Sequence, residues 1–219
     1  MVQVPRRTGF SGSTLVRSLA RLTDIDVADS KRSFADRLSQ WLDWTDAITL
    51  SSVLNGDILK EPASLLRVAG GSEDAECRRV RDALVAAIAE DPAPARNVAT
   101  GTTIDFAPWR RRYVARQQAM ETSISALRKR VRATLAGKSP AMAQLAALDA
   151  VMEHALGTQE QRLLATIPGL LGKYFKRLAQ SGPEAWQEAF GKDMQSVLLA
   201  ELEIRLQPVE GLLEALRET

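Results

Sequence analysis

The chain has 219 residues, 45% of them hydrophobic and 26% charged, which is usual for a globular protein. A single cysteine, Cys77, excludes an internal disulfide and a cysteine-based zinc site, and a single histidine, His154, excludes a multi-histidine metal site. No apolar run in the sequence is close to the length of a membrane span, which is about 20 residues. The N-terminal sequence MVQVPRRTGFSG has no apolar core of a secretory signal, so we expect a cytoplasmic location.

A first amphipathic helix is predicted near the N-terminus. Ser11 or Ser13 would cap it, because a serine side chain accepts hydrogen bonds from the free backbone N–H groups of the first turn. A polar stretch, TDIDVADSK, connects this helix to the next one. The apolar side chains of this first helix share one face: Leu15, Val16, Leu19 and Leu22.

A second helix is predicted to begin after Ser33 and to continue unbroken to Asn55. Asp43 and Asp46 are interpreted as part of its solvated face. Trp41 and Trp44 are interpreted first as core residues, and a surface position is the alternative for Trp44, which lies about 60 degrees away from the Trp41 face. The apolar stripe repeats every three or four residues, as a buried helix face does: Phe34, Leu38, Trp41, Thr45 and Ile48.

Two further helices precede a predicted linker. One is short, from Pro62 to Gly70, and the other runs from about Ser72 to Ala89 with acidic residues in its first turn. The sequence DPAPARNVATGTT then contains two prolines, a glycine and three threonines between helical patterns. These residues predict a linker over 91–104.

The longest uninterrupted pattern covers residues 105–136, where one helix is predicted because no glycine or proline occurs between Pro108 and Gly137. Its apolar stripe begins at Trp109 and averages about 3.7 residues per repeat, close to a straight helix. Eight bases against two acids give the segment a net charge of +6. At about 100 degrees per residue, six of the bases form two rings about 27 Å apart: Arg110, Arg111, Arg112, Arg128, Lys129 and Arg130.

Two more helices are predicted after this basic segment. Ser139 caps the first, and Gly157 is expected to end it. Thr158 and Gln161 have the spacing of a capping box that opens the second. Pro168 is expected to interrupt that second helix, because proline removes a backbone donor.

Residues 162–178 form a basic amphipathic pattern, with large apolar side chains on an arc of about 140 degrees and the bases opposite. The pattern is typical of a core helix and also of a helix that lies on a membrane surface or in a partner's groove. The core interpretation is favoured, because a chain with only 5% aromatic residues needs these side chains inside. Peripheral membrane contact through 162–178 stays an alternative.

The last predicted helix begins after Pro183, and Pro208 should kink or split it. Residues 183–219 carry eight acids and three bases, a net charge of −5. Because its apolar stripe is headed by Trp186 as the basic one is by Trp109, the two long helices are predicted to lie side by side. Their apolar stripes would be buried, and their opposite charges would pair along the rims.

These patterns predict an all-α protein, an irregular helical bundle with two long helices and an elongated shape. No stretch alternates apolar and polar residues as a half-buried strand does. The proline- and glycine-containing stretch divides the chain into an N-terminal helical subdomain (1–90), a linker (91–104) and a C-terminal long-helix bundle (105–219).

Two segments of the chain resemble a known family. RTGFSGSTLVRSLARLTDIDV with ADRLSQWLDWTDAITLSSVL, and ALDAVMEHALGTQEQRLLATIPGLLGKYFKRL, are similar to a proteobacterial family catalogued as domain of unknown function 3348. Its WLDW core is the most specific part. The family has no established catalytic residues, so the resemblance assigns none. It implies a bacterial, cytosolic accessory subunit that works beside an envelope or motor-like complex.

No arrangement of residues in the sequence predicts catalysis, a cofactor or a metal site. The leading hypothesis is therefore a non-enzymatic helical adaptor that binds another protein. The alternative is nucleic-acid binding through the N-terminal arginines and the basic helix 105–136. Homo-oligomer formation stays open. The candidate partner-binding residues are Trp44 and the two rings: Arg110, Arg111, Arg112, Arg128, Lys129 and Arg130.

Overall fold

The computed structural model describes residues 13–24, 33–56, 73–90, 105–181 and 186–218, and all regular secondary structure in these ranges is α-helical. The two longest helices have 30 and 32 residues, which confirms the predicted all-α bundle with two long helices. In chain order the helices are α1 (Thr14–Thr23), α2 (Phe34–Trp41), α3 (Trp44–Leu54), α4 (Glu73–Ala89), α5 (Ala107–Ala136), α6 (Pro140–Leu164), α7 (Ile167–Ser181) and α8 (Trp186–Arg217).

Helices α5 and α8 pack along each other and form the centre of the core. Helix α5 is unbroken, so the predicted single helix over this segment is confirmed. Its stripe residues Tyr113, Met120 and Val131 are fully buried, as are Phe190 and Val197 on α8. The predicted packing of the two apolar stripes is therefore confirmed.

Aromatic side chains from α5, α7 and α8 gather at one end of this pair. The Phe190 ring lies 5.1 Å from both the Trp109 and the Phe175 ring centroids, with edge-to-face geometry that aromatic pairs favour. A Cβ on Gly172 would come within 3.0 Å of the Phe106 ring, so a residue without a side chain suits this contact. The cluster ties the beginnings of α5 and α8 to α7.

Helices α1 and α4 contribute to the same core. Ser13 caps α1 as predicted, and its Leu15 and Leu22 are buried in contact with the core formed by α5, α7 and α8, as is Ile88 of α4. Burial raises the pKa of the Cys77 thiol on α4, so this cysteine is a core residue rather than a reactive thiolate. The linker 91–104 and the short helix predicted from residue 62 lie outside the described residues, and the division into subdomains stays a prediction.

Residues 33–56 do not form the single helix that their spacing predicts. The chain leaves helical geometry at Leu42 and Asp43, and α3 starts again at Trp44. Asp43 and Asp46 form a capping box: the Asp46 N–H donates to Asp43 Oδ1 at 2.7 Å, and the Asp43 N–H donates to Asp46 Oδ2. The two acids thus begin a helix, and their interpretation as a solvated face of one longer helix was wrong.

Gly157 does not end a helix and Pro208 does not split one, contrary to the prediction, whereas the interruption predicted at Pro168 is present. Helix α6 continues through Gly157 to Leu164, because one glycine costs a helix only about 1 kcal/mol. Helix α6 ends at Leu164 and α7 begins at Ile167, so the chain leaves helical geometry just before Pro168, which is the second residue of α7, where its missing N–H would have no helical partner in any case. Pro208 lies inside α8, which is not split there.

Candidate partner-binding groove

A fully paired buried carboxylate lies between α5 and α8. Glu201 is completely buried, and it accepts hydrogen bonds from the Tyr113 hydroxyl at 2.7 Å and from Gln117 Nε2 at 3.0 Å. Arg205, one turn later on α8, donates to it through Nε at 2.9 Å. Burial, and then the charge of Glu201, raise the pKa of Tyr113, so the hydroxyl stays a donor.

An open groove of about 550 Å³ lies beside this buried cluster, between α5, α6 and α8 with the end of α2. We call it the α5–α6–α8 groove. Its apolar surface comes from all four helices: Trp41, Ile124, Leu156, Leu163, Ile204 and Pro208. Leu163 is 53% exposed, so the groove presents apolar surface to solvent rather than an enclosed cavity.

Gly157 widens the groove on the α6 side. A Cβ placed on this glycine would meet nothing within 4 Å, so the space beside its backbone is open. Pro208 has no N–H to donate to the carbonyl oxygen of Ile204, one turn earlier. Both residues line the groove.

The charges of the groove are arranged with arginines inside and carboxylates outside. The Arg128 and Arg205 side chains are only 13% and 9% exposed. Glu160 is 47% exposed, and its carboxylate lies 3.8 Å from Arg205. Glu121 is also exposed, and it accepts a hydrogen bond from Gln161 Nε2 at 2.6 Å. Solvent at the mouth therefore meets carboxylates first.

The second predicted ring of bases is largely neutralised inside the molecule. Arg128 forms a bidentate salt bridge with Asp149 of α6, with N–O distances of 2.6 and 2.8 Å. Arg132 joins the same carboxylate and also pairs with Glu153 at 2.6 Å. Arg130 Nε lies 2.9 Å from Oε2 of Glu73, a carboxylate of α4 that is 2% exposed. These pairs hold α4 and α6 on α5.

The ion pairs predicted along the rims of α5 and α8 do not form at three bases of α5. Arg128, Arg130 and Arg132 pair with acids of α4 and α6 instead. Two acids of α8 take bases from other helices: Asp193 pairs with Arg21 of α1, and Glu210 pairs with Arg81 of α4. The apolar stripes bring α5 and α8 together, and the charged flanks of both helices then face their other neighbours.

Most bases of the first ring, and Lys129 of the second ring, are more exposed to solvent. Arg110, Arg111 and Lys129 are exposed, and no ion pair to them occurs in the described parts of the chain. Arg112 is half-buried and has an interaction partner. The two rings thus differ: the side chains of Arg128 and Arg130 are used within the fold, whereas those of Arg110 and Arg111 face solvent.

Trp44 lies on the surface, so its interpretation as a core residue was wrong and the alternative holds. It is the first residue of α3 and is 81% exposed, and Ile48, one turn later, is 51% exposed. The opposite side of α3 packs on α6, where Gln144 Nε2 donates to the carbonyl oxygens of Val53 and Leu54. This side-chain contact to a helix C-terminus fixes the orientation of α3.

The segment 162–178 places most of its large apolar side chains inside the protein. Leu164, Ile167, Leu171 and Phe175 are buried in the core, while Leu163 faces the groove. The core interpretation of this segment accounts for these four side chains. In the parts of the chain that the structure describes, no helix is sufficiently long and apolar to span a bilayer. Those parts also contain no cluster of three or more His, Cys, Asp or Glu side chains suited to a metal ion.

Sequence patterns do not identify most groove residues as site residues. They mark Leu156 only as an apolar position, and Gly157 and Pro208 only as helix breakers. The one signal that points to the groove is a glycine and a proline within long apolar patterns, since each leaves a helix backbone less covered by side chains. That they face each other across one groove depends on how α6 and α8 pack, which spacing along the chain does not contain.

Comparison with known proteins identifies the family. The family model described as "Protein of unknown function (DUF3348)" matches residues 1–218, and the chain therefore belongs to that family. No curated protein and no solved structure matches the chain.

Proposed function

We propose that this member of the DUF3348 family is a non-enzymatic helical adaptor that binds another protein through the α5–α6–α8 groove. The observation that supports the proposal is the groove itself, an open apolar surface with Leu163 half exposed and exposed carboxylates at its edge. Apolar surface rimmed by polar residues is typical of protein interaction sites. The buried Glu201 cluster beneath it makes the floor rigid, because every described polar group there is paired.

Two glycines allow a matched test of this proposal. Gly157→Leu places a side chain in the groove, whereas Gly211→Leu adds the same side chain to an exposed position of α8 outside the groove lining. Neither new Cβ meets an atom within 4 Å, and both replace a helical glycine, so both variants should fold.

The experiment is affinity purification of tagged wild type and both variants at low salt, followed by quantitative mass spectrometry. We expect wild type and Gly211→Leu to retain the same protein partner and Gly157→Leu to lose it. Equal recovery by all three chains, or recovery of no protein by the wild type, would contradict binding through the groove. The partner's identity would also test the proposed place beside an envelope or motor-like complex in the cytoplasm.

Nucleic-acid binding is the second candidate, and the exposure of Arg110, Arg111 and Lys129 favours it. Arg6 and Arg7 lie outside the described residues, and Arg21 pairs with Asp193. The test is fluorescence anisotropy with labelled DNA and RNA over a range of salt. Binding through these bases requires an affinity that falls by about one log unit per log unit of salt for each phosphate contacted. An absence of binding at low salt eliminates this candidate.

A further inference from the structure

We propose that the partner segment which occupies the α5–α6–α8 groove is a basic amphipathic helix. This inference rests on the proposed function, because it names the chemistry of the occupant of the same groove. It combines the charge at the mouth of the groove and its apolar floor.

The charge at the groove mouth is complementary to a cation. Each groove arginine is already satisfied by a carboxylate: Arg128 by Asp149, and Arg205 by the buried Glu201. The carboxylates that face outward are less compensated. Glu160 has only the 3.8 Å contact with Arg205, and Glu121 has an amide donor. A partner that approaches therefore meets a negative rim, which favours Lys or Arg and disfavours acidic segments.

The polar side chains of the groove are compatible with a basic partner. Gln159, Gln207 and Ser125 line the groove and supply hydrogen-bonding groups beside the two exposed carboxylates. Lysine and arginine side chains are donors only, so they match the carboxylate oxygens at the mouth.

The apolar floor requires more than a small cation. Trp41, Leu156 and Leu163 lie along one open groove between helices, and a compact amine would leave them in water. An amphipathic helix places apolar anchors at positions i, i+3, i+4 and i+7 on the floor, and its flanking bases then reach the rim. One helix thus covers the apolar floor and pairs with the carboxylates of the rim.

A selection from random peptides tests this chemistry directly, because it does not require the partner protein to be identified first. The purified full chain is used to select from a displayed library of peptides of about 15 residues, which is roughly four helical turns. The selected peptides are then synthesised and titrated against wild type, Gly157→Leu and Gly211→Leu. We expect them to carry net positive charge and helical apolar spacing. We also expect them to lose at least about tenfold in affinity with Gly157→Leu and less than twofold with Gly211→Leu.

Charge reversal provides a second readout that does not depend on filling the groove. Glu160→Lys changes an exposed side chain, so the fold should be retained, and circular dichroism checks this. We expect about fivefold weaker binding of the selected peptides at low salt, and a smaller difference at high salt because exposed charges are screened. Unchanged binding by Glu160→Lys would overturn the assignment of the rim.

The outcomes separate the two proposals. Peptides that depend on Gly157 but are acidic or neutral, or lack helical apolar spacing, would overturn the basic amphipathic helix and leave the groove as a binding site. A selection that yields no peptide sensitive to Gly157→Leu would overturn the groove itself, and with it the proposed function.

Discussion

The α5–α8 pair and the α2–α3 segment have similar sequence patterns but different surroundings in the folded protein. Both carry tryptophan-containing apolar stripes with three- and four-residue spacing. The apolar residues of the stripe that begins at Trp109 are buried along its length, whereas Thr45 and Ile48 of the other stripe are exposed and only Val53 of α3 is buried. The difference shows that a helical stripe becomes core only when a second stripe of similar length packs against it.

Removing a ring from the aromatic cluster should have the largest effect on this comparison. Phe190 is fully buried and contacts Trp109, Phe175 and Tyr174. We expect Phe190→Ala to lower the free energy of unfolding by about 3–5 kcal/mol, because it leaves a cavity between α5, α7 and α8. Urea denaturation followed by tryptophan fluorescence measures it. A loss below about 1 kcal/mol would show that the cluster is not tightly packed.

Removing the hydroxyl of Tyr113 should cost less. Tyr113→Phe deletes the 2.7 Å hydrogen bond to Glu201, whose buried carboxylate keeps its bonds from Gln117 and Arg205. We expect a loss of about 1.5–3 kcal/mol, the range for hydrogen bonds to charged groups. The same denaturation experiment measures it. Wild-type stability in this variant would mean that the hydroxyl is replaceable by water.

High pH should weaken the α7–α8 contact. Burial, and then a 2.6 Å hydrogen bond to Asp193, raise the pKa of Tyr174 to about 12. An unfolded tyrosine has a pKa of about 10, so this contribution is present below pH 10 and is lost as the pH rises towards 12. We expect the stability difference between wild type and Tyr174→Phe to shrink over that window. A constant difference would exclude the linkage.

The capping box of α3 can be tested at the residue that divides α2 from α3. Asp43→Ala removes the acceptor for the Asp46 N–H and should destabilise α3 by about 1 kcal/mol. Hydrogen exchange of α3 amides should accelerate, while that of α5 and α8 amides stays the same. Asp82→Ala, at an exposed position inside α4, is the control and should have no such effect. Unchanged exchange in α3 would contradict the capping role.

The smallest effect is expected at the most exposed tryptophan. Trp44 is 81% exposed, so Trp44→Ser should change the free energy of unfolding by less than about 0.5 kcal/mol. Its fluorescence should already be solvent-quenched in the folded wild type. A loss of several kcal/mol would mean that α3 has a buried contact, and the contrast with the Trp109 stripe would then disappear.

Much of the fold follows from the sequence alone. The all-α class, the uninterrupted basic helix, the cap at Ser13 and the burial of residues such as Tyr113 and Phe190 depend on period, propensity and capping, which are properties of short segments. Local signals failed where two of them competed, as at Asp43, whose capping box outweighed a continuous apolar spacing.

The groove and the ion pairs were decided by tertiary structure. Which acid neutralises Arg128 depends on which helix lies beside it, and α6 rather than α8 presents Asp149 there. Gly157 and Pro208 became the walls of one groove because α6 and α8 pack on α5 with a gap between them. Charge alone does not select such neighbours, since an exposed pair contributes only about 0–1 kcal/mol, whereas burial of apolar stripes orders the helices and then determines which charges meet.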